Sequence, residues 1–532
     1  MTPDPTARPF TPPVILFLAA VALAVGALSL ALGQDANWDL RNYHWYNAYA
    51  FWTGRWAIDV APSQVPAFYN PTLDLPFYWL AEALPARWVG FIMGVVNGLN
   101  AVPLYGIAWA VLPLSDRRRR ALAAGTLAVV GLVGGGHVGL IGTTFYDNVI
   151  SLFVLGSAWV VVANADAVFR GPAPRAFALL AFAGLLVGSG VGLKQPTVVF
   201  AVGLCFAFLL VEGGFWRRMF QSFFFGIGVL AGMAVFSGHW MWFLWTEFQN
   251  PLFPYFNDVF RSPMGTLATY RDDKWLPESL GEALAFPFLW TADPKQVGEI
   301  AFRDLRVPVA YLVLIATPIL WLAARARGAA RPVPAAVRYL LIAMALSYLV
   351  WLKLFAIYRY LIPLEMLAPV AIVAAIAIWP IPVRARAVTA AALLALVTVT
   401  AQPGNWNRIA WTDRFVEIQA PPLANPDDTL ILMTGYAPTS FLVHGFPPQV
   451  PFLRLQSYLI HPDHGDVGLN RKMADRIATH DGDMFLLLAH WEVWTIDNVL
   501  PHYGLTADAT ACAPVTSNLD EPMMLCPVRR LG

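Results

Sequence analysis

Long apolar segments alternate with short polar turns along the chain up to residue 402. A membrane-spanning helix needs about 20 mostly apolar residues. The pattern predicts about eleven such helices, at 13–33, 88–112, 121–141, 148–168, 176–193, 197–214, 220–244, 307–324, 336–353, 361–379 and 386–402. After residue 402 the long apolar runs stop, and Asp, His and Pro become frequent. We therefore expect a transmembrane domain over 1–402 and a separate domain over 403–532.

Composition agrees with a membrane protein. Hydrophobic residues make up 58% of the chain and charged residues only 13%, whereas a soluble protein carries about 25% charged residues. The net charge of +1 gives no basic excess that would indicate nucleic acid as a partner. No phosphate-binding loop or dinucleotide fingerprint is present in the sequence. The first apolar run lacks a small-residue cleavage site followed by a soluble domain, so we interpret it as a transmembrane helix.

Arginine clusters predict the orientation of these spans. Short cytoplasmic loops of membrane proteins are enriched in Lys and Arg. With the N-terminus inside, five cytoplasmic turns receive the clusters 117–120, 170–175, 217–218, 325–338 and 384–386. An odd number of spans then places the C-terminus outside. The outer side would hold a first loop at 34–87, a long loop at 246–306 and the C-terminal domain.

The C-terminal domain reads as a small α/β fold. The stretches T-L-I-L-M-T-G-Y (429–436) and D-M-F-L-L-L-A-H (483–490) are typical of buried strands, and 468–479 is typical of a helix. A structural cap or lid is favoured over a catalytic role for this domain. Cys512 and Cys526 can form a disulfide if the domain is extracytoplasmic.

The first outer loop opens with D-A-N-W-D-L-R-N-Y-H-W-Y at 35–46. A helix here would place Asp35 and Asp39 on one face because they are four residues apart. A neighbouring stripe would contain Trp38, Trp45, Tyr49, Trp52 and Trp56. This pattern predicts an interfacial helix with its Trp stripe at the lipid headgroups and its acids facing the protein. The alternative is a plain anchor helix with solvated acids.

Other polar side chains fall in short turns that are predicted to lie outside. These turns hold Asp147, Lys194, Gln195, Lys353, Arg359 and Glu365. Taken singly, Asp147 reads equally well as a helix cap, and each lysine as a side chain reaching towards water. Cations at this depth need an anion, and Glu365 is one candidate. A lipid phosphate is the other, since Arg offers a bidentate fork and Lys a point charge.

With these residues in place, the chain resembles the GT-C superfamily of polyprenyl-phosphate-sugar-dependent glycosyltransferases. That superfamily includes the protein O-mannosyltransferases and the lipid A aminoarabinose transferases. The resemblance lies in D-A-N-W-D after the first span, in F-Y-D-N before the fourth, and in R-Y-L-I-P at 359–363. It implies a mainly α-helical, polytopic bundle with interfacial helices in the first outer loop.

The resemblance also implies an inverting transfer and assigns roles to residues. Asp39, with Asp35 as second choice, would be the base that deprotonates the acceptor. Asp147 would be a second acid that arranges the acceptor or a divalent metal. Lys194, Lys353 and Arg359 would hold the carrier phosphate, and Gln195, Tyr43, Tyr46 and His44 complete the expected binding residues. His44 alone is more often structural. The spacing D-x-x-x-D, rather than a tight pair, leaves open which Asp is the base and whether Mg²⁺ or Mn²⁺ binds Asp39 and Asp147.

The implied partners are a polyprenyl-phosphate sugar, membrane lipids and an acceptor that is a glycan, a lipid or a protein. The implied location is the bacterial inner membrane, with the active site and C-terminal domain in the periplasm. A lipid-linked sugar flippase is one alternative, although it would place polar residues at mid-membrane depth, often in repeated halves. A ligase or polymerase that uses a lipid diphosphate is the other, and would rely on outer-loop Arg and His rather than Asp39.

Overall fold

The computed structural model describes residues 9–268, 270 and 272–531. These residues are mainly helical. The helices are α1 (Pro12–Leu32), α2 (Trp45–Thr53), α3 (Leu75–Ala83), α4 (Ala86–Gly98), α5 (Ala101–Val111), α6 (Arg117–Leu132), α7 (Gly135–Gly139), α8 (Asp147–Ala163), α9 (Ala165–Phe169), α10 (Ala173–Leu193), α11 (Val198–Ala207), α12 (Phe215–Phe248), α13 (Asn257–Phe260), α14 (Leu280–Ala292), α15 (Arg306–Ala326), α16 (Ala335–Leu354), α17 (Ile362–Ala377), α18 (Val383–Val399), α19 (Gly468–Ala478) and α20 (Trp494–Asn498). The strands are β1 (Gln34–Asp35), β2 (Arg408–Ile409), β3 (Ile418–Gln419), β4 (Thr429–Met433), β5 (Phe452–Arg454), β6 (Asp483–Leu488), β7 (Leu505–Ala507), β8 (Ala513–Ser517) and β9 (Met523–Arg530).

Within the described residues, seven helical segments are long and apolar enough to cross a membrane. They are Pro12–Leu32, Ala86–Val111, Ala173–Leu193, Phe215–Phe248, Arg306–Ala326, Ala335–Leu354 and Tyr358–Ala377. The chain is therefore a multi-pass membrane protein. The other four predicted runs form shorter helices, such as α6 with 16 residues and α18 with 17. Seventeen residues extend about 25 Å, slightly less than a bilayer core of about 30 Å. The count of eleven stays a prediction.

The fold divides into two compact units. The helical unit comprises the described residues up to Leu32, together with Gly90–Phe236 and Asp272–Trp406. The mixed unit comprises the described residues of Gly33–Val89, of Ser237–Arg271 and from Asn407 onward. This differs from the predicted division at residue 402, because the first outer loop groups with the C-terminal segment rather than with the membrane helices.

Small residues allow close helix packing in the helical unit. Gly184 and Gly188 of α10 face the backbone of α12, where an added Cβ would lie 2.0 Å from the carbonyl oxygen of Phe225 and 2.2 Å from that of Val229, respectively. Transmembrane helices gain van der Waals contact by such approaches, since lipid provides no hydrophobic drive between them. A further buried layer, from α5, α8, α16 and α17, forms the core of this unit.

The mixed unit is built on a seven-stranded sheet in the order β3-β8-β9-β6-β4-β5, with β7 paired to β9. β4 runs parallel to β5 and β6, whereas β9 is antiparallel to β6, β7 and β8. The two strands and the helix expected in this domain are confirmed as β4, β6 and α19. A disulfide joins Cys512 to Cys526 of β9, so the bridge that the sequence left open is present.

The first outer loop is not the continuous α-helix that its sequence predicted. Asp35 lies in β1, where it pairs with Arg408 of β2. A π-helical turn spans Leu40–His44 before α2 begins. The expectation that Asp35 and Asp39 share a helix face is therefore wrong. A π turn closes i→i+5 hydrogen bonds, so residues beyond it are rotated relative to an α-helix.

The expected Trp stripe is also wrong as a single surface. Trp45 and Tyr49 are buried, at 1% and 7% exposure, whereas Trp38 and Trp52 are 38% and 62% exposed. The buried rings pack within the mixed unit, for example Trp45 against Tyr78 with centroids 5.0 Å apart. A large aromatic ring buries more apolar area in such a core than at a headgroup layer.

Candidate functional site

Three of the predicted polar residues lie together in the helical unit, at three helix ends. Asp147 is the first residue of α8, Lys194 directly follows α10, and Arg359 lies in the 3-10 turn Tyr358–Leu361 before α17. The Lys194 ammonium donates to Asp147 Oδ1 at 2.6 Å. Arg359 Nη1 lies 3.9 Å from Asp147 Oδ2. One carboxylate therefore serves two cations, and three turns that were predicted to lie outside meet here.

Local backbone geometry directs Asp147 into this cluster. Tyr146 has a left-handed backbone with φ of 60° and is the N-cap residue of α8. Asp147 is thus the first residue inside the helix, and the interpretation of its side chain as the helix cap is wrong. A carboxylate in the first turn is stabilised by the helix dipole. It is also buried, at 6% exposure, and a buried carboxylate requires cationic or hydrogen-bonding partners.

Arg359 has a second acidic partner that the sequence did not indicate. Its Nη2 lies 3.3 Å from Glu299 Oε1, and the indole N–H of Trp406 donates to Glu299 Oε2 at 3.3 Å. The Glu299 side chain is 45% exposed, in contrast to the 6% of Asp147. Burial alone would raise the pKa of Glu299, but Arg359 and the hydrogen bonds to this carboxylate hold that pKa below its ordinary value. Glu299 is one of several acids in the long outer loop, and no neighbouring motif distinguishes it from the others.

Aromatic rings form the walls beside both cations. The guanidinium carbon of Arg359 lies 4.0 Å from the ring centroid of Phe145. Lys194 Nζ lies 5.3 Å from the centroid of Tyr360 and donates to the carbonyl of Phe145 at 2.7 Å. Ring faces attract cations, so these contacts stabilise positive charge without neutralising it. Because Asp147 supplies one negative charge to two cations, the cluster can bind a second anion.

A divalent metal does not fit this cluster. Asp147 is already paired with Lys194 and Arg359, and a metal ion beside it would face two positive charges. Among residues 9–268, 270 and 272–531, no group of three or more His, Cys, Asp or Glu side chains gathers into a metal site.

The remaining residues predicted from the outer turns lie differently. Lys353 is exposed in the last turn of α16, and Gln195 is exposed in the 3-10 turn after Lys194. Glu365 is not the counter-ion of Arg359. It is fully buried and accepts hydrogen bonds from two backbone N–H groups and from Tyr358. The carboxylates that do face the cations are Asp147 and Glu299.

The acids of the first outer loop belong to the mixed unit and differ in accessibility. Asp35 is 1% exposed, and both its carboxylate oxygens accept from the Asn37 side chain at 2.8 Å. Asp39 is half-buried and accepts from the Tyr43 hydroxyl at 3.2 Å. Asp35 thus fixes a local turn, while Asp39 keeps a partly accessible carboxylate next to a phenol.

Two more residues of this loop have partners that hold the mixed unit together. His44 Nδ1 lies 2.6 Å from Asp74 Oδ1. Tyr46 donates to Asp59 Oδ2 at 2.8 Å, and Asp59 is itself paired with Arg55. Burial and the Asp59 carboxylate raise the pKa of Tyr46, so its phenol stays protonated as a donor. The Tyr46 hydroxyl is therefore engaged with Asp59.

Comparison with known proteins gives one structural likeness. No protein-family model matches the chain. No curated protein matches it either. The crystal structure of ArnT from Cupriavidus metallidurans bound to undecaprenyl phosphate is similar over 96% of this chain and 97% of that one, with 14% sequence identity and a TM-score of 0.40. This similarity is too low to support an argument about function, so any function has to be argued from the side chains of the present chain.

Proposed function

We propose that this chain is a membrane glycosyltransferase that moves a sugar from a polyprenyl-phosphate carrier to a hydroxyl acceptor on the outer face, with inversion. One observation carries the proposal: Lys194 and Arg359 converge on the single buried carboxylate of Asp147. The residue types suit a phosphate, since Arg can bind two oxygens and Lys adds a mobile charge.

The exposed carboxylate of Glu299 marks where that phosphate would bind. Glu299 holds Arg359 through one 3.3 Å contact and its side chain is 45% exposed, so another anion can replace it at modest cost. Asp147 is buried and closely paired, and would stay in place. Exchange of Glu299 for a phosphate keeps the local charge balanced and leaves Asp147 to hold both cations in position.

The chemistry requires one bond to form and one to break. The acceptor oxygen attacks the anomeric carbon, and the bond between that carbon and the phosphate oxygen breaks with its electron pair. The acceptor proton passes to a base, and the carrier leaves as a phosphate with increased negative charge. Lys194 and Arg359 would stabilise that developing charge, which is where fixed cations lower a barrier most.

Asp39 is the proposed base. A base must reach the acceptor hydroxyl, and Asp39 is partly accessible whereas Asp35 is saturated by Asn37. Tyr43 donates to Asp39 and would keep the carboxylate oriented. We assign Asp35 a structural role, since its bonds to Asn37 fix the turn that precedes Asp39.

Two features support an outer location for the C-terminal region. The Cys512–Cys526 disulfide is typical of an oxidising compartment. The arginine clusters of the short loops all fall on the opposite side in the predicted topology. We propose the periplasmic face of a bacterial inner membrane.

Transfer by the purified protein tests this function. The full chain in lipid vesicles is incubated with a radiolabelled polyprenyl-phosphate sugar and a membrane extract that supplies acceptors. Label should appear in product with the wild type and be largely lost with Arg359→Gln, while Lys274→Gln, an exposed lysine of the same unit, retains activity. Label that only changes leaflet, with no product, would identify a flippase and overturn the proposal.

A further inference from the structure

Glu365 lies in the first turn of α17 with no exposed surface. Its Oε1 accepts from the backbone N–H of His137 at 2.8 Å. Its Oε2 accepts from the N–H of Gly136 at 3.1 Å and from the hydroxyl of Tyr358 at 2.8 Å. A buried carboxylate in a membrane helix is costly, so these three bonds have to outweigh its loss of hydration.

The backbone around this carboxylate is the N-cap residue Gly134 and the first turn of α7, here together called the glycine loop (134–137). Its shape fits the carboxylate. The sequence G-G-G-H at 134–137 passes so close that a Cβ on Gly134 would lie 1.9 Å from Glu365 Oε1. A Cβ on Gly136 would lie 2.6 Å from Oε2. Only glycine allows this approach without moving the carboxylate.

One connection from Glu365 leads to Arg359. Tyr358, the residue before Arg359, is fully buried and anchored through its hydroxyl to Glu365. Its backbone N–H donates to the carbonyl of Val297 at 2.7 Å. The 3-10 turn that carries Arg359 is therefore held at both its backbone and its side chain.

The other connection leads to Asp147. The carbonyl of His137, whose N–H is held by Glu365, accepts from the side chain of Asn148 at 3.1 Å. The carbonyl of Asn148 in turn accepts from Asn100 at 2.7 Å. Asp147 precedes Asn148, so its place at the start of α8 depends on the same loop.

We propose that Glu365 is a positioning residue that fixes Arg359 against Asp147. The inference rests on the proposed function, in which those two residues belong to the phosphate-binding cluster. Asp304 offers a contrast: it holds the N–H of Gly135 in the same loop and pairs with Arg306, but has no bond to Tyr358. Glu365 connects the loop to the turn that carries Arg359.

Tyr358→Phe is the main test, since it removes one hydroxyl and leaves the ring and the carboxylate in place. Thr317→Val is its matched control, because it removes another buried hydroxyl of the same unit, the partner of the Trp379 indole. Both variants should have similar melting temperatures. Tyr358→Phe should lower kcat about tenfold to about hundredfold, the size of effect seen for a slight misplacement, while Thr317→Val should not.

A double-mutant comparison separates positioning from general stability. In an Arg359→Gln background, Tyr358→Phe should cost no further activity, because the residue it positions is gone. Equal fold losses in both backgrounds would overturn the inference. Glu365→Gln should match the loss of Tyr358→Phe or exceed it; if that variant fails to fold, the Tyr358 comparison still decides.

A second readout does not depend on transfer. Asp147→Asn should change the melting temperature less in Tyr358→Phe than in the wild type, because Arg359 no longer holds its place beside Asp147. If the wild type transfers no sugar but this difference is present, the proposed function fails and the positioning stands. If transfer occurs and the difference is absent, the positioning fails and the proposed function stands.

Discussion

Lys194 donates a 2.6 Å hydrogen bond to Asp147, a residue 47 positions earlier in the chain. The bond joins two short turns that were each expected to expose a separate polar residue. Cations in these turns need an anion, and the protein supplies one itself, the side-chain carboxylate of Asp147 at the start of α8. The Asp147 carboxylate is therefore engaged as the counter-ion of Lys194.

Replacement of Lys194 by Gln should lower the transfer rate by about hundredfold to about thousandfold, because it removes a fixed positive charge that would stabilise the leaving phosphate. The loss should appear in kcat/KM for the donor, measured by initial rates at varied polyprenyl-phosphate sugar. Lys274→Gln removes an exposed lysine paired with Asp272 and should leave those rates unchanged. Equal rates for Lys194→Gln and the wild type would contradict its role.

Substitution of the two acids of the first outer loop should affect different properties, transfer for one and stability for the other. Asp39→Asn should abolish transfer while the melting temperature stays near that of the wild type, because its carboxylate is partly exposed. Asp35→Asn should instead lower stability by about 1 to about 3 kcal/mol, since an amide opposite Asn37 leaves buried donors unpaired. Thermal unfolding and initial rates on the same preparations measure both effects. The reverse pattern would make Asp35 the base.

Glu299 pairs with Arg359, and in the proposed function it competes with the donor phosphate for that guanidinium. Glu299→Gln should therefore strengthen donor binding. The acid of this ion pair is partly exposed, and pairs that solvent can screen are worth up to about 1 kcal/mol, so the donor KM should fall about twofold to about fivefold. Glu278→Gln, an exposed acid of the same loop, is the control and should leave KM unchanged. A rise in KM with Glu299→Gln would show that this carboxylate helps the donor to bind.

The effect of Glu299→Gln on the donor KM should depend on pH only in the acid range. The pKa of Glu299 is held below its ordinary value by Arg359 and its hydrogen bonds, so its carboxylate stays ionised at neutral and mildly acid pH. The ratio of donor KM between wild type and Glu299→Gln should therefore be constant from about pH 6 to about pH 8. Competition should weaken only as pH falls through that lowered pKa. A ratio that changes near neutrality would place the titrating group elsewhere.

Thiol labelling tests the disulfide and the compartment together. The chain has three cysteines, of which Cys205 is free and the other two are bridged. Denatured protein from cells should take up one maleimide before reduction and three afterwards, counted by mass. Three labels without reduction would argue against an oxidising compartment for the C-terminal domain.

Patterns of apolar residues predicted the helical elements well, because a membrane span is a local property of about 20 residues. Each predicted span contains a helix, and β4, β6 and α19 appear where alternation and turn residues placed them. Helix lengths were less predictable. In the predicted run 121–141, the first helix ends at Leu132, and the glycine loop beside Glu365 follows. Gly136 of that loop contacts Glu365, which lies 229 positions later in the chain.

The candidate site divides in the same way. Topology and residue type selected Asp147, Lys194 and Arg359 as a group, because charges near a membrane are costly wherever they occur. The sequence did not single out Glu299, because acids are common in long loops. Its importance follows only from its contact with Arg359 in the tertiary structure. Asp35 was placed on a helix face by spacing alone, but backbone pairing with Arg408, far along the chain, made it a strand.

The sequence by itself determined that this is a multi-pass membrane protein, which residue types are costly at its membrane rim, and where β4, β6 and α19 lie in the C-terminal domain. Those properties follow from the local balance of apolar and polar residues. Only the tertiary structure decided that Asp147 is the shared anion of Lys194 and Arg359, that Glu299 is a second partner of Arg359 and that Tyr358 donates to Glu365. Each of those ion pairs depends on a charged side chain finding a partner from a distant segment, and the energy of a buried charge is set by its neighbours in space rather than in sequence.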